Sequence, residues 1–212
     1  MQRYWMRLTN YLLISSMKNI FPVLFILSFT ATAQKMELLN GSLNSLKGQM
    51  SYDIKFSYDN MIIGRGKSEK DYLDEKKMLW EQKEPGTSKG SDFVKLWFED
   101  RKNSYEPAFV KNFEQYARTK LNDKNATYTI LLKTKRTEGG WNLGVASHSG
   151  EIDGELWIVE SANHDKVIAK IAFFNIEGDN YLGGDFEMTW RINSAYKRAG
   201  TVLGYFVKKK SK

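Results

Sequence analysis

IDGELWIVES (152–161), NHDK (163–166) and VIAKIAFFNI (167–176) follow one another in the second half of the chain. In the first, Ile152, Leu156 and Ile158 fall on one side of an extended chain and Trp157 and Val159 on the other, because side chains alternate with a period of two. The third is almost continuously apolar, as in a strand covered on both faces. Two such runs joined by a short polar link predict an antiparallel hairpin.

Working outward, Thr127 to Thr137 places Tyr128, Ile130, Leu132 and Thr134 on one side, and Gly139-Gly140 breaks the run. Further upstream, Met50, Tyr52, Ile54, Phe56 and Tyr58 alternate with polar residues, which predicts a half-buried strand over 49–58. Ser68 followed by Glu69 and Asp71 predicts a helix start, since a hydroxyl caps free N–H groups and acids suit the positive helix end. Tyr72, Leu73, Leu79 and Trp80 share a stripe there, and Pro85-Gly86 closes it. A second helix is expected over 91–103, with Phe93, Leu96 and Trp97 inward. A third is expected from Glu106-Pro107. The last helix is expected over 185–207, with Trp190 among its inward residues and small residues Ala195, Ala199, Gly200 and Gly204 at helical spacing. Strand, helices, strands, helix predicts an α+β two-layer sandwich, with a mostly antiparallel sheet of four to five strands and helices on one face.

Residues 34–48 read as a polar lead-in and 49–207 as a single domain. Residues 1–33 read as an export signal. Lys18 precedes the apolar run IFPVLFILSF (20–29), and Ala31 and Ala33 supply small side chains before a cut at Gln34. A spanning helix needs about 20 apolar residues, and this run is shorter. Residues 1–16 read either as an extended positive region or as an untranslated extension ahead of Met17. The expected destination is the periplasm, with release to the medium as the alternative. No later segment is long and apolar enough to span a membrane.

Cysteine is absent, which excludes disulfides, thiolate metal sites and a lipid anchor on cysteine. The net charge is +7, but Arg3, Arg7 and Lys18 in 1–33 contribute three of these charges. Lys208, Lys209, Lys210 and Lys212, in a lysine-rich tail over 208–212, contribute the other four. The body between is neutral. That argues against nucleic acid as a partner, which requires a basic surface to displace counterions. The lysine tail reads as a solvated end or as a contact for an anionic membrane or polymer.

Motifs for catalysis are missing. His148 and His164 lack partners at metal-ligand spacing, and GRGK (64–67) lacks the phosphate-loop pattern. No catalytic residue, metal ligand or cofactor is assigned. Asp153 and Glu155 share one face of a strand. They read either as paired carboxylates, with Glu160 nearby, or as a solvated face paired with Lys133, Lys135 and Lys170. Trp141 and Asn142, after two glycines, and Tyr181 in a late glycine loop are candidate ligand contacts, since a loop aromatic can stack on a sugar or fold over the sheet edge.

The signal ending Thr32-Ala33-Gln34, the run Glu155 to Glu160 followed by Ala162-Asn163, and the segment Ala195 to Gly204 resemble exported proteins of Bacteroidota without an assigned activity. The element order is more remotely similar to small periplasmic α/β domains of envelope assembly factors, such as that of the curli secretion channel, although no lipidated cysteine is present. The expectation is an exported binding or envelope-assembly module whose partner is an envelope protein or a glycan. The balance weighs against an enzyme. The alternative is a hydrolase acting on envelope or dietary glycans.

Overall fold

A computed structural model describes residues 35–142, 146–179 and 188–212; the expected export signal lies outside them. The hairpin at its centre is β8 (Glu151–Glu160) against β9 (Asn163–Glu177), with Leu156 opposite Ile171 and Ile158 opposite Ala169. The turn is tighter than the sequence suggests. Asn163 already opposes Glu160, so the polar NHDK segment lies within β9. Gly154 is required in β8. A Cβ there would lie 2.6 Å from the Phe173 ring and 2.4 Å from the Lys133 carbonyl oxygen.

Around this hairpin the sheet has seven strands in the order β1-β9-β8-β5-β3-β4, with β2 also on β5. The added strands are β1 (Lys35–Gly41), β2 (Asp53–Ser57), β3 (Ile62–Ile63), β4 (Lys67–Ser68) and β5 (Tyr128–Glu138). Both β2 and β3 run parallel to β5, with Ile54 beside Ile130 and Ile63 beside Thr137. The expected sandwich with a mostly antiparallel sheet of four to five strands is therefore corrected to an α+β fold on a mixed, seven-stranded sheet. Parallel neighbours cannot be joined by a tight turn and need a long crossover. The three helical segments between β3 and β5 provide it. The stretch read as a polar lead-in forms β1, an edge strand antiparallel to β9, followed by a 3₁₀ turn (Asn44–Leu46) that buries Leu43 and Leu46.

The helices are α1 (Glu69–Lys83), α2 (Lys89–Asp100), α3 (Glu106–Ala117) and α4 (Met188–Lys210), with a π-helical turn at Arg101–Tyr105. Ser68 caps α1 by accepting from the Asp71 N–H at 3.1 Å. The α3 helix closes at Arg118 in the left-handed region (φ 56°). The inner sheet face, with Ile130, Leu132, Ile152, Leu156, Ile158 and Phe173, packs against Phe109 and Phe113 of α3 and Ile192, Tyr196 and Leu203 of α4. Gly200 and Gly204 let α4 lie almost on the α3 backbone. A Cβ would lie 2.4 Å from the Phe109 carbonyl oxygen at Gly200 and 2.8 Å from that of Phe113 at Gly204. Tyr196 is fully buried but satisfied, 2.7 Å from the Thr134 hydroxyl.

The expected inward stripes of α1, α2 and α4 hold only in part. Trp97 is buried and donates to Glu69 at 2.6 Å. Leu96 and Trp190 are 52% and 62% exposed. The α1 helix buries only Leu73, because it lies at the β3–β4 margin against α2 rather than over the sheet. Among the described residues no helix is long and apolar enough to cross a membrane.

Candidate functional site

A cavity of about 670 Å³ opens where β5 and β3 end, beside α1 and the start of α4. Its rim on one side is the β3–β4 turn. Gly64 (φ +62°) and Gly66 (φ +129°) adopt conformations that side-chain-bearing residues rarely adopt, and exposed Arg65 stands between them. Facing it is a second glycine turn. Gly140 (φ +65°) lies so close to the next hairpin that a Cβ would sit 2.3 Å from the His148 carbonyl oxygen. This turn leads into β6 (Trp141–Asn142), which pairs with β7 (Ser147–His148). Trp141 is 43% exposed, and its ring stacks on His148 with centroids 6.4 Å apart. The His148 Nδ1–H donates to the Ser149 carbonyl at 2.8 Å, which fixes the ring as a support for the indole.

The walls combine rings and cations. Tyr72 and Trp80 come from α1, Phe93 from α2 and Met188 from α4. Lys67, Lys76 and Arg191 join Arg65 as positive groups, and Glu138 is the single carboxylate among the described lining residues. Arg191 is buried, 2% exposed, and donates from Nε to the Gly139 carbonyl at 2.7 Å, which ties α4 to the glycine turn. Lys67 is ion-paired with Glu75 outside the cavity. Glu138 accepts from the Gly140 N–H at 3.3 Å, and its Oε2 lies against Gly64, so its carboxylate is held between the two turns. A second cavity of about 360 Å³ shares Phe93 and Met188 with the first and adds Leu96, Trp97, Asp92 and Asp100.

Of the residues singled out from sequence, Trp141 is at this cavity. Asn142 pairs with Ser147 in the hairpin, but its side chain is outside the described residues, and so is Tyr181. Asp153 and Glu155 lie on the opposite sheet face and do not line it. Asp153 is bound by Arg136, which also holds Glu151, and accepts from the Asn175 N–H at 2.7 Å. Glu155 accepts from the Trp157 indole at 2.6 Å. That indole is clamped between the ammonium groups of Lys133 and Lys170, 3.3 and 3.7 Å from its centroid. Burial, then the neighbouring Lys135, holds the Lys133 ammonium below its ordinary range. Glu160 pairs with Lys166. Asp153 thus sits in a cross-strand ion pair and Glu155 in a hydrogen bond along its own strand.

Arg65, Lys67, Lys76, Tyr72, Glu138 and Arg191 carry no motif, and none of them stands out in the sequence as a site residue. The one available signal was GRGK at 64–67, a cation flanked by two glycines. It is informative as a turn that presents Arg65, although it fails as a phosphate loop. Among the described residues, no three His, Asp or Glu side chains converge as a metal site requires.

The expectation weighing against an enzyme is not kept. It rested on missing motifs, whereas the cavity presents a fixed carboxylate among cations and rings, a set from which acid–base chemistry can be built without any motif.

No protein family and no curated protein matches the chain. Two solved structures from Paraburkholderia phytofirmans are similar over 78% of it. One is a PelC dodecamer carrying a leucine-to-methionine substitution (8% identity, TM-score 0.34, 97% of that chain). The other is a PelC dodecamer in a second crystal form (9% identity, TM-score 0.33, 96% of that chain). Likeness at this level establishes neither a shared fold nor a shared function.

Proposed function

We propose that the protein is exported and that its main cavity takes an acidic saccharide. The observation that carries this is the make-up of the cavity: Trp141, Tyr72 and Trp80 among its walls, with Arg65, Lys76 and Arg191 against Glu138. Aromatic faces suit the C–H faces of a sugar ring. Arg and Lys suit a uronate or sulfate group, and a guanidinium adds directional, paired hydrogen bonds. At about 670 Å³ the cavity falls within the range for a small-molecule site. The sequence pattern over 18–34 supports export.

A second reading, chemistry on the bound saccharide, is favoured by one observation: the Glu138 carboxylate is fixed between the two glycine turns that carry Arg65 and Trp141. Calorimetric titration with acidic and neutral oligosaccharides of matched length tests the binding proposal. Acidic ligands are expected to bind, and Arg65→Ala and Trp141→Ala are each expected to weaken binding about tenfold, the value of one lost charge-assisted or stacking contact. Equal binding of neutral and acidic ligands would overturn it. Product analysis of the same mixtures, with Glu138→Gln as control, separates binding from turnover.

A further inference from the structure

We propose that the end of the molecule where α3 and α4 finish is an attachment surface for an anionic bilayer. It lies apart from the cavity described above and does not depend on the saccharide reading. The α3 helix ends on exposed Arg118, and α4 ends on Lys208, Lys209 and Lys210, with Lys212 beyond. Arg118, Lys208 and Lys212 line both of the shallow cavities found here. Among the described residues none of these cations is in an ion pair, whereas Lys70 and Lys77 of α1 pair with Asp74 and Glu81. Helix C-termini attract cations, which accounts for some of this clustering. It does not account for the crowding. Desolvation is the larger cause that lowers the Lys208 ammonium, and the like charges of Arg118 and Lys212 add to it.

Charge alone would describe a solvated end. Three exposed apolar or amphipathic side chains distinguish it. Tyr205 and Tyr116, 58% and 39% exposed, line the cavity shared with Arg118 and Lys209. Met50, 71% exposed, lies beside Lys120, whose N–H donates to the Met50 carbonyl at 2.9 Å. Tyrosine with a polar tip and an apolar body is favoured at the headgroup level, and cations beside it meet the lipid phosphates. Two nearby acids accept from neutral donors within the fold. Glu114 accepts from the Leu121 N–H, and Asp123 accepts from Ser51 and the Asn125 N–H.

The test is co-sedimentation of the full chain with vesicles containing one-third phosphatidylglycerol and with pure phosphatidylcholine vesicles. The readout is the ratio of the two, so that any apolar contribution of residues 20–29 cancels. A Lys208→Gln, Lys209→Gln, Lys212→Gln variant is compared with a Lys70→Gln, Lys77→Gln, Lys95→Gln variant, which removes the same charge from α1 and α2. The first is expected to lower the ratio roughly a hundredfold at low salt, and the second to leave it unchanged. Tyr205→Ser is expected to lower it severalfold with no change in net charge. Equal loss in both lysine variants, or loss in neither, would overturn the proposal. So would saturable binding of inorganic pyrophosphate that depends on the same lysines while vesicle binding does not, since the site would then be one for a small anion.

Discussion

Arg136 bonds to both Asp153 and Glu151 across β5 and β8, at a point where the register of the two strands shifts. Removing it would leave two largely buried carboxylates unpaired. Arg136→Ala is expected to cost about 3 kcal/mol, measured by urea unfolding, and Glu151→Gln in that background should recover part of the loss. Glu106 is the opposite case. Burial raises its pKa, more than the Tyr58 hydroxyl and then Lys102 and Arg101 lower it. A carboxyl whose folded pKa is raised loses stability as pH climbs through the unfolded value toward the folded one, because the unfolded state releases its proton first. Glu106→Gln should therefore melt higher than the parent at pH 7, with the difference shrinking toward pH 3. A difference independent of pH would show that packing, not ionisation, is responsible. At this scale the sequence was legible where chemistry is local. Ser68 capped its helix as its spacing implied. Trp141 was legible because an aromatic after two glycines is conspicuous. Asp153 and Glu155 were ambiguous because the partner that occupies Asp153, Arg136, lies on another strand and is placed by a bulge that no periodicity reveals.

Elements recovered from periodicity were those with one consistently buried face, β5, β8 and α3; β9 was legible as a continuous apolar run, but it is not covered on both faces, since Phe174 is 41% exposed. The segments misread were those whose neighbours decide their state. Residues 35–41 have neither strong alternation nor burial, and they are a strand only because β9 offers its edge. The parallel pairing of β2 and β3 with β5 leaves no mark within any of the three strands. The signal was in the order, since a strand followed by helices and another strand permits a crossover as readily as a separate layer. Trp190 and Leu96 fit helical stripes by spacing but face outward, because spacing selects a face without saying what lies against it. The α3–α4 contact gives a test at this level. Gly200→Val would press two methyl groups toward the Phe109 carbonyl, and is expected to destabilise by about 1–3 kcal/mol or more in chemical denaturation. Val substituted at exposed Gly48, where nothing lies within 4 Å but φ is +78°, isolates the cost of backbone strain from that of contact.

For the whole molecule, a neutral body conceals an uneven distribution of charge. Net charge from sequence located the lysines at the end of α4 but missed the cavity, because Arg65, Lys76 and Arg191 are far apart in sequence and meet only when β3, α1 and α4 converge. That convergence depends on the parallel placement of β3 beside β5, which brings the Gly64–Gly66 turn next to Glu138 and the Gly139–Gly140 turn. The feature hardest to read from sequence is thus the one that builds the site. The most direct test is a crystal structure of the protein with an acidic tetrasaccharide. The predicted result is a sugar ring against Trp141 with its acidic group at Arg65 and Lys76. Density for the saccharide on the opposite sheet face around Trp157, with the cavity empty, would contradict it.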